Sequence, residues 1–276
     1  MRRSLALIAP AAVPTVLVLG VSLTAVVGQS LGLAPVVGQA GLTGDAYRAA
    51  AATEGLGASL LLSLAIATAA TLLALVVGLA TALAVRATRV GGRILSGVAA
   101  LTIPVPHLVG AATVGLLLSD SGLLARVSGG VAWPQLVAGP WWAAVVLEFG
   151  WKESAFVALV VVSVLASYAD QLDETAAVLG AGPLSRLRHI TLPLAAPALV
   201  ISGAVSFVYV LGSYDVAWLL GRAYPEPLPV LAYRLFTSTD LAARPEAMAV
   251  AASTVLLCAL VGAGSLTALR RTMEPA

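Results

Sequence analysis

The sequence predicts an all-α polytopic membrane protein with six transmembrane helices. Three observations carry this. Of 276 residues, 60% are hydrophobic and only 10% are charged, against about 25% charged in a soluble domain. Mean hydropathy is +1.00. Long charge-free runs recur, each reaching the roughly 20 apolar residues that cross about 30 Å of hydrocarbon. This composition excludes an ordinary cytosolic enzyme and a disordered chain. A net charge of +2 offers no basic footprint for nucleic acid.

The expected spans are residues 5–29, 57–85, 95–119, 141–168, 194–219 and 246–269, in a single transmembrane domain covering residues 1–276. Arg2 and Arg3 precede the first apolar run, as in a secretory signal. That run is too long for a signal h-region and five more spans follow, so it reads as an uncleaved helix. The third span contains Ile103-Pro104-Val105-Pro106-His107, where proline breaks a helix. The fourth follows Trp141 and Trp142, rings that suit a membrane interface, and holds charges inside it. Pro193 and Pro197 punctuate entry to the fifth, and Pro245 with Glu246 fits the first turn of the sixth. The connecting segments 30–54, 120–140 and 221–244 are rich in Gly, Pro and polar residues and read as loops.

Arginine placement sets orientation. With the N-terminus inside, nine arginines (2, 3, 86, 89, 93, 186, 188, 270 and 271) lie in the cytoplasm and five (48, 126, 222, 234 and 244) outside. Both termini are therefore expected in the cytoplasm.

Catalytic signatures are missing. The single lysine, Lys152, sits in Trp151-Lys152-Glu153, so no phosphate-binding loop ending in Gly-Lys exists. One cysteine, Cys258, and two distant histidines, His107 and His189, give no metal site and no disulfide within the chain. The chain reads as non-enzymatic and binds no cofactor of its own. Energy for any work comes from an ion gradient or another subunit.

The longest polar stretch, residues 170–193, falls between spans four and five. Asp173 to Leu179 is a run of helix formers behind acidic residues. Gly180 and Gly182-Pro183 mark a turn. Leu184, Leu187 and Ile190 then recur at helical spacing, with Arg186 and Arg188 off that face. The pattern is helix, turn, short helix, with an apolar side suited to docking at the cytoplasmic surface.

Glu174-Thr175-Ala176, then Gly180 and Ala181, then Ile190-Thr191-Leu192-Pro193, resembles the EAA loop of ABC importer permeases, the inner-membrane subunits of binding-protein-dependent transport systems. Thr175 stands where the family usually has alanine. The resemblance implies a type I importer permease fold. It implies that the loop is a coupling helix seated in a cytoplasmic ATPase subunit, which binds ATP. By the same resemblance Glu174 and Ala176 shape the first helix, Gly180 makes the turn, and Leu192-Pro193 opens the next span. The implied partners are two ABC ATPase subunits, a second permease subunit (identical or related), a substrate-binding protein and the bilayer of a bacterial cytoplasmic (inner) membrane. Trp151-Lys152-Glu153, the Ile103–His107 segment, Tyr214-Asp215 through Leu220-Gly221, and Pro245 to Ala249 resemble polyamine-type (spermidine/putrescine-like) permeases. Thiamine, iron and phosphonate systems stand as other cargo classes. The alternatives to the importer are a stand-alone ion-coupled secondary transporter and a membrane scaffold with no pathway.

Charges within spans are the remaining candidates. Glu148 and Lys152 are spaced i, i+4 and can pair on one face. Lys152 falls roughly 15 Å beyond Trp142 at 1.5 Å per residue. Glu148, Lys152 and Glu153 either line the translocation route or form a structural pair that holds the bundle. Asp215 faces the route or sits at the interface. His107 marks either a packing kink or a broken helix lining a cavity. Gly57, Gly78, Gly97, Gly110 and Gly203 are expected to allow close helix approach.

Overall fold

A computed structural model describes residues 2–37, 39–129, 133–166 and 169–273. The expected end of the fourth span at Tyr168 lies outside the described residues, as do the side chains of Arg2, Arg3, Arg89 and Arg271. Among the described residues the regular structure is wholly helical. The helices are α1 (Arg2–Ser30), α2 (Asp45–Ala52), α3 (Leu56–Ala87), α4 (Arg89–Thr102), α5 (His107–Leu118), α6 (Leu123–Val127), α7 (Ala143–Leu165), α8 (Ala169–Val178), α9 (Pro183–Arg186), α10 (Leu192–Gly212), α11 (Asp215–Leu220), α12 (Leu228–Phe236) and α13 (Arg244–Met273). A π-turn (Leu187–Thr191) joins α9 to α10, and a 3₁₀ turn (Leu241–Ala243) precedes α13.

Among the described residues, five stretches are long and apolar enough to cross a membrane: Ile8–Ser30, Leu56–Ala87, His107–Val127, Pro183–Gly212 and Leu241–Thr267. Six were expected. The difference is α7, which is 23 residues long but carries Glu148, Lys152 and Glu153. The expected third span is two helices. Chain from Ile103 to Pro106 separates α4 from α5, because Pro104 and Pro106 supply no N–H to a helical ladder. The fifth ends at Gly212, short of the expected 219, and α11 follows as a separate helix. The connecting segments read as loops also fold, into α2, α6 and α12.

The chain forms two compact units. One comprises Met1–Leu60 and Pro227–Leu256. Here α1 is apolar all round, and Val16, Val18 and Val21 are about two-thirds exposed. Outward-facing apolar side chains suit a lipid solvent. At its foot the Ser30 and Tyr47 hydroxyls lie 3.0 Å apart. Thr53 Oγ1 donates to Glu246 on the first turn of α13, and the Arg244 guanidinium lies 5.3 Å from the centre of the Phe236 ring.

The second unit comprises Leu61–Glu226 and Leu257–Ala276. Its centre is α7, with Phe149, Val157, Val161 and Leu165 almost wholly buried. An apolar cluster of Ala74, Ala82, Val157, Val161, Leu165, Ala195 and Ala198 joins α3, α7 and α10. Glycine sets the α3–α7 distance. A Cβ on Gly78 would lie 2.6 Å from Val157 Cβ, and one on Gly150 2.4 Å from Leu73 Cδ2. Of the five glycines expected at close approaches, Gly78, Gly110 and Gly203 are so placed, while Gly57 and Gly97 face open space. Gly150 does the same work unannounced, because a lone glycine in an apolar run carries no sign of what lies across from it.

Trp142 departs from its expected interfacial position. Trp141 is 86% exposed, but Trp142 is 4% exposed. It sits at φ 55°, at the N-cap of α7, with its ring where a Gly221 side chain would be. An aromatic pair in sequence does not reveal which ring turns inward.

Candidate coupling loop and intramembrane polar cluster

The loop from α8 to α10 is built as its sequence suggests, with one change. Helix α8 closes with Gly180 at φ +85°. Ala181 N–H donates to Ala176 O at 2.9 Å, and Gly180 N–H to Ala177 O at 3.0 Å. These are the two bonds of a Schellman ending, which places a left-handed residue where Gly180 stands. Pro183 then opens α9. Arg186 Nη1 donates to Asp173 Oδ2 at 2.7 Å, tying the second helix to the first. The exposed Thr175 returns its hydroxyl to Gln171 O. Glu174 is solvent-facing, and Ile190 and Leu192 are half-buried.

Pro193 lies in the first turn of α10 and Pro197 inside that helix. The ladder shifts register first: Leu192 N–H donates to Leu187 O, the i→i−5 pattern of the π-turn. Pro193 thus falls in the first turn of α10, where a missing N–H is tolerated. The exposed tip carries Val178 (88% exposed), Leu179 (82%) and Leu184 (77%). These three do not pack on their own chain, although α8 packs against α9 and the π-turn.

The charged residues of α7 meet the break between α4 and α5. Lys152 is 4% exposed. Its Nζ donates to Thr102 O at 2.6 Å and to Val105 O at 2.5 Å. Both carbonyls belong to the segment where Pro104 and Pro106 interrupt the helix, leaving acceptors that a cation can satisfy. The expected Glu148–Lys152 pair is therefore replaced. Glu148, fully buried, lies against His107, with Nδ1 3.3 Å from Oε1. His107 Nε2 is 3.5 Å from Glu153 Oε1. Ser206 of α10 donates to Glu153 Oε2 at 2.6 Å. The His107 ring lies 4.7 Å from that of Tyr209 and 5.7 Å from that of Phe149. Gly110 leaves room for Glu148, since a Cβ there would lie 2.7 Å from Oε1.

The cluster joins four of the five candidates read from sequence, His107, Glu148, Lys152 and Glu153, across the α4–α5 break, α7 and α10. Asp215 is not tied into it by a hydrogen bond. It starts α11 and accepts from Ser213 Oγ at 2.8 Å. Sequence reading missed Ser206 and the Thr102 and Val105 carbonyls. A serine in an apolar helix and a main-chain oxygen carry no pattern, although the paired prolines did announce free carbonyls. The arrangement sets one lysine and one imidazole beside two carboxylates, linking the α4–α5 break, α7 and α10, and it presents no nucleophile with a base. Among the described residues no group of three or more His, Cys, Asp or Glu is placed to hold a metal.

The family described as binding-protein-dependent transport system inner membrane component matches residues 74–275. The sulfoquinovosyl glycerol transport system permease protein SmoG of Agrobacterium fabrum is 34% identical over 83 residues, 30% of this chain and 27% of the relative. The chain thus spans about a quarter of the length of that relative. A bacterial ABC transporter involved in import of the acidic polysaccharide alginate superposes with a TM-score of 0.77 at 18% identity, covering 98% of this chain and 95% of that one. The MetNI methionine ABC transporter superposes with a TM-score of 0.61 at 18% identity, covering 80% of this chain and 100% of that one. At these identities the superpositions show the fold. The polyamine-type resemblance finds no support among these relatives. The family match takes in most of the sequence, including α7, the coupling-loop residues and α10. The chain therefore belongs to the family of binding-protein-dependent transport system inner membrane components, multi-pass membrane subunits that are not themselves catalytic.

Proposed function

We propose that this chain is the permease subunit of an ATP-driven importer, coupled to its ATPase through Glu174 to Pro193, and that its cargo is a carbohydrate or sugar conjugate. The observation that carries the coupling is the loop tip. A rigid helix–turn–helix, closed by Gly180 and pinned by Asp173 and Arg186, holds three apolar side chains out from the protein. Such a patch has no reason to stay exposed unless another surface covers it. The EAA-like residues run from Glu174, Thr175 and Ala176 in α8, through Gly180 and Ala181 at the turn and Ile190 in the π-turn, to Leu192 and Pro193 at the start of α10. The family's dependence on a binding protein argues against a stand-alone ion-coupled transporter.

The remaining parts follow from this reading. Helix α7 is the sixth span: 23 residues rise about 34 Å, and its charges are sheltered inside the chain. Both termini lie in the cytoplasm. One transmembrane domain pairs with a second permease subunit, and ATP binds to the partner ATPase, not here. Binding of ATP favours one arrangement of the ATPase pair, and the loops pass that bias to the helices. Glu148, Lys152, Glu153 and His107 fasten the bundle and do not line the route; Lys152 binds main-chain carbonyls, Glu153 accepts from Ser206 and Glu148 lies against His107 within the same chain. The carbohydrate class rests on the named cargoes of the relatives, a sulfoquinovosyl glycerol and an alginate.

Site-specific crosslinking tests the coupling. In a Cys258→Ala background, a single cysteine replacing Leu179 should crosslink to the co-expressed ATPase subunit, and Glu174→Arg should weaken that crosslink. A correctly inserted, well-expressed chain that gives no crosslink refutes the reading. Uptake by the assembled system of a sugar conjugate, but not of spermidine, tests the cargo class.

A further inference from the structure

We infer that residues 31–44, the loop at the end of α1, form a lipid-contacting surface that seats its apolar side chains at the headgroup–acyl boundary of the bilayer. The sequence holds no charged residue from Ser4 to Gly44, so the charge-free run continues well past the end of α1 at Ser30. Leu33 (53% exposed), Val36 (45%), Val37 (64%) and Leu42 (76%) stand outside the chain's own packing. The loop is tied at both ends. Gly41 N–H donates to Gly32 O and Thr43 N–H to Leu31 O, each at 2.9 Å. Leu33 N–H donates to Gly28 O at 2.8 Å, which fastens the loop to the last turns of α1. Gly32 has φ +71°, and a Cβ there would lie 2.6 Å from Gly41 O and from Thr43 Cγ2, so glycine is what lets the two arms of the loop meet. A compact loop with closed ends holds its side chains in fixed places. Apolar side chains held outward in this way mark a surface that something covers.

Depth and chemistry commit that cover to lipid. The apolar stretch Ile8–Ser30 has 23 residues and rises about 34 Å, enough to cross about 30 Å of hydrocarbon. The loop therefore starts at a headgroup layer. Its surface continues that of α1, where Val18, Val21 and Val27 also face outward. Water begins directly after it: Asp45 and Arg48 on α2 pair at 2.7 Å, with side chains 72% and 82% exposed. A segment set between hydrocarbon and water can bury apolar side chains about 5–10 Å deep while its backbone stays within reach of headgroups and water. A protein-docking surface is built differently. Its hot spots are Trp, Tyr and Arg inside a polar rim, whereas residues 31–44 contain none of the three and have only Gln39 and Thr43 as polar side chains. Thr43 Oγ1 is already engaged, accepting from Asp45 N–H at 3.1 Å.

The test uses the full chain with Cys258→Ala, reconstituted in vesicles of phosphatidylethanolamine and phosphatidylglycerol. Leu42→Cys and, separately, Val37→Cys carry a fluorescent label. Arg48→Cys is the water reference and Val27→Cys the lipid reference. Labels at positions 42 and 37 should lose fluorescence to a phospholipid bearing a nitroxide at the top of its acyl chain, as at position 27. They should resist iodide, which quenches at position 48. Both side chains are exposed, so neither substitution removes a packed group, and each position checks the other. Iodide quenching equal to that at position 48 overturns the proposal. Iodide access that is lost only when a substrate-binding protein is added overturns it in favour of a protein-docking loop. Shielding from both quenchers overturns it in favour of a contact with another subunit. The readings are taken without ATP or cargo, so they stand apart from the transport reading.

Discussion

Replacing Lys152 with methionine should destabilise the bundle before it affects any step of transport. Lys152 is 4% exposed, and its Nζ donates to Thr102 O and Val105 O at 2.6 and 2.5 Å. Methionine preserves much of the volume and removes the charge. Two carbonyls at the α4–α5 break lose charge-assisted bonds worth about 1.5–3 kcal/mol each. Glu148 and Glu153 are left facing one imidazole, and an uncompensated buried charge typically costs about 3–5 kcal/mol. Part of this is returned, because a chain unfolded within a membrane finds other partners, and measured polar contacts in such proteins average only about 0.6 kcal/mol. These costs overlap, since the lost bonds and the stranded charge are one event, and a net loss of about 3 kcal/mol lies between the soluble-protein and membrane values. At roughly 2–4 °C per kcal/mol that lowers the thermal midpoint by about 6–12 °C. The assay is thermal denaturation of the purified subunit in detergent, followed by size-exclusion chromatography. The reasoning is refuted if Lys152→Met melts with the wild type and assembles normally but transports nothing. That outcome would place Lys152 on the translocation route.

Other outcomes test the packing and the loop. Gly78→Leu should prevent normal insertion, since even a Cβ there lies 2.6 Å from Val157 Cβ and 2.9 Å from the Ser154 carbonyl; protease resistance in membranes reads this, and wild-type resistance would contradict the α3–α7 crossing. Gly180→Val should cost about 1–2 kcal/mol for a β-branched residue at φ +85°. Its effect belongs in the ATPase crosslink and not in membrane insertion, so a variant that crosslinks fully would refute the Schellman assignment. Ser206→Ala should lower stability by about 1–3 kcal/mol, because the buried Glu153 loses a donor at 2.6 Å; an unchanged melting midpoint would show that another group satisfies that carboxylate.

Much of the coupling loop was legible in the sequence because its signals are local. Gly180 and Gly182-Pro183 stop one helix and start the next through backbone preferences that act within a few residues. The register shift ahead of Pro193 was not legible, because a π-turn has no composition of its own. Nor did the tip residues reveal their exposure. Leu184, Leu187 and Ile190 share a helical spacing, yet Leu184 is 77% exposed and the other two are half-buried.

By itself, the sequence determined the solvent and the breaks. Apolar runs with so few charges can satisfy their backbone in lipid only as helices, and Pro104 and Pro106 must open the third run wherever it lies. It also determined that Lys152 needs a partner, since one charge in hydrocarbon is costly. Which partner was a tertiary decision. Glu148 is one turn away on the same helix, but the Thr102 and Val105 carbonyls of the α4–α5 break lie within reach, and His107 is there to take the carboxylates. Spacing along a chain tells which groups share a face. Only the packing of α7 against the broken helix and α10 decides which of them meet.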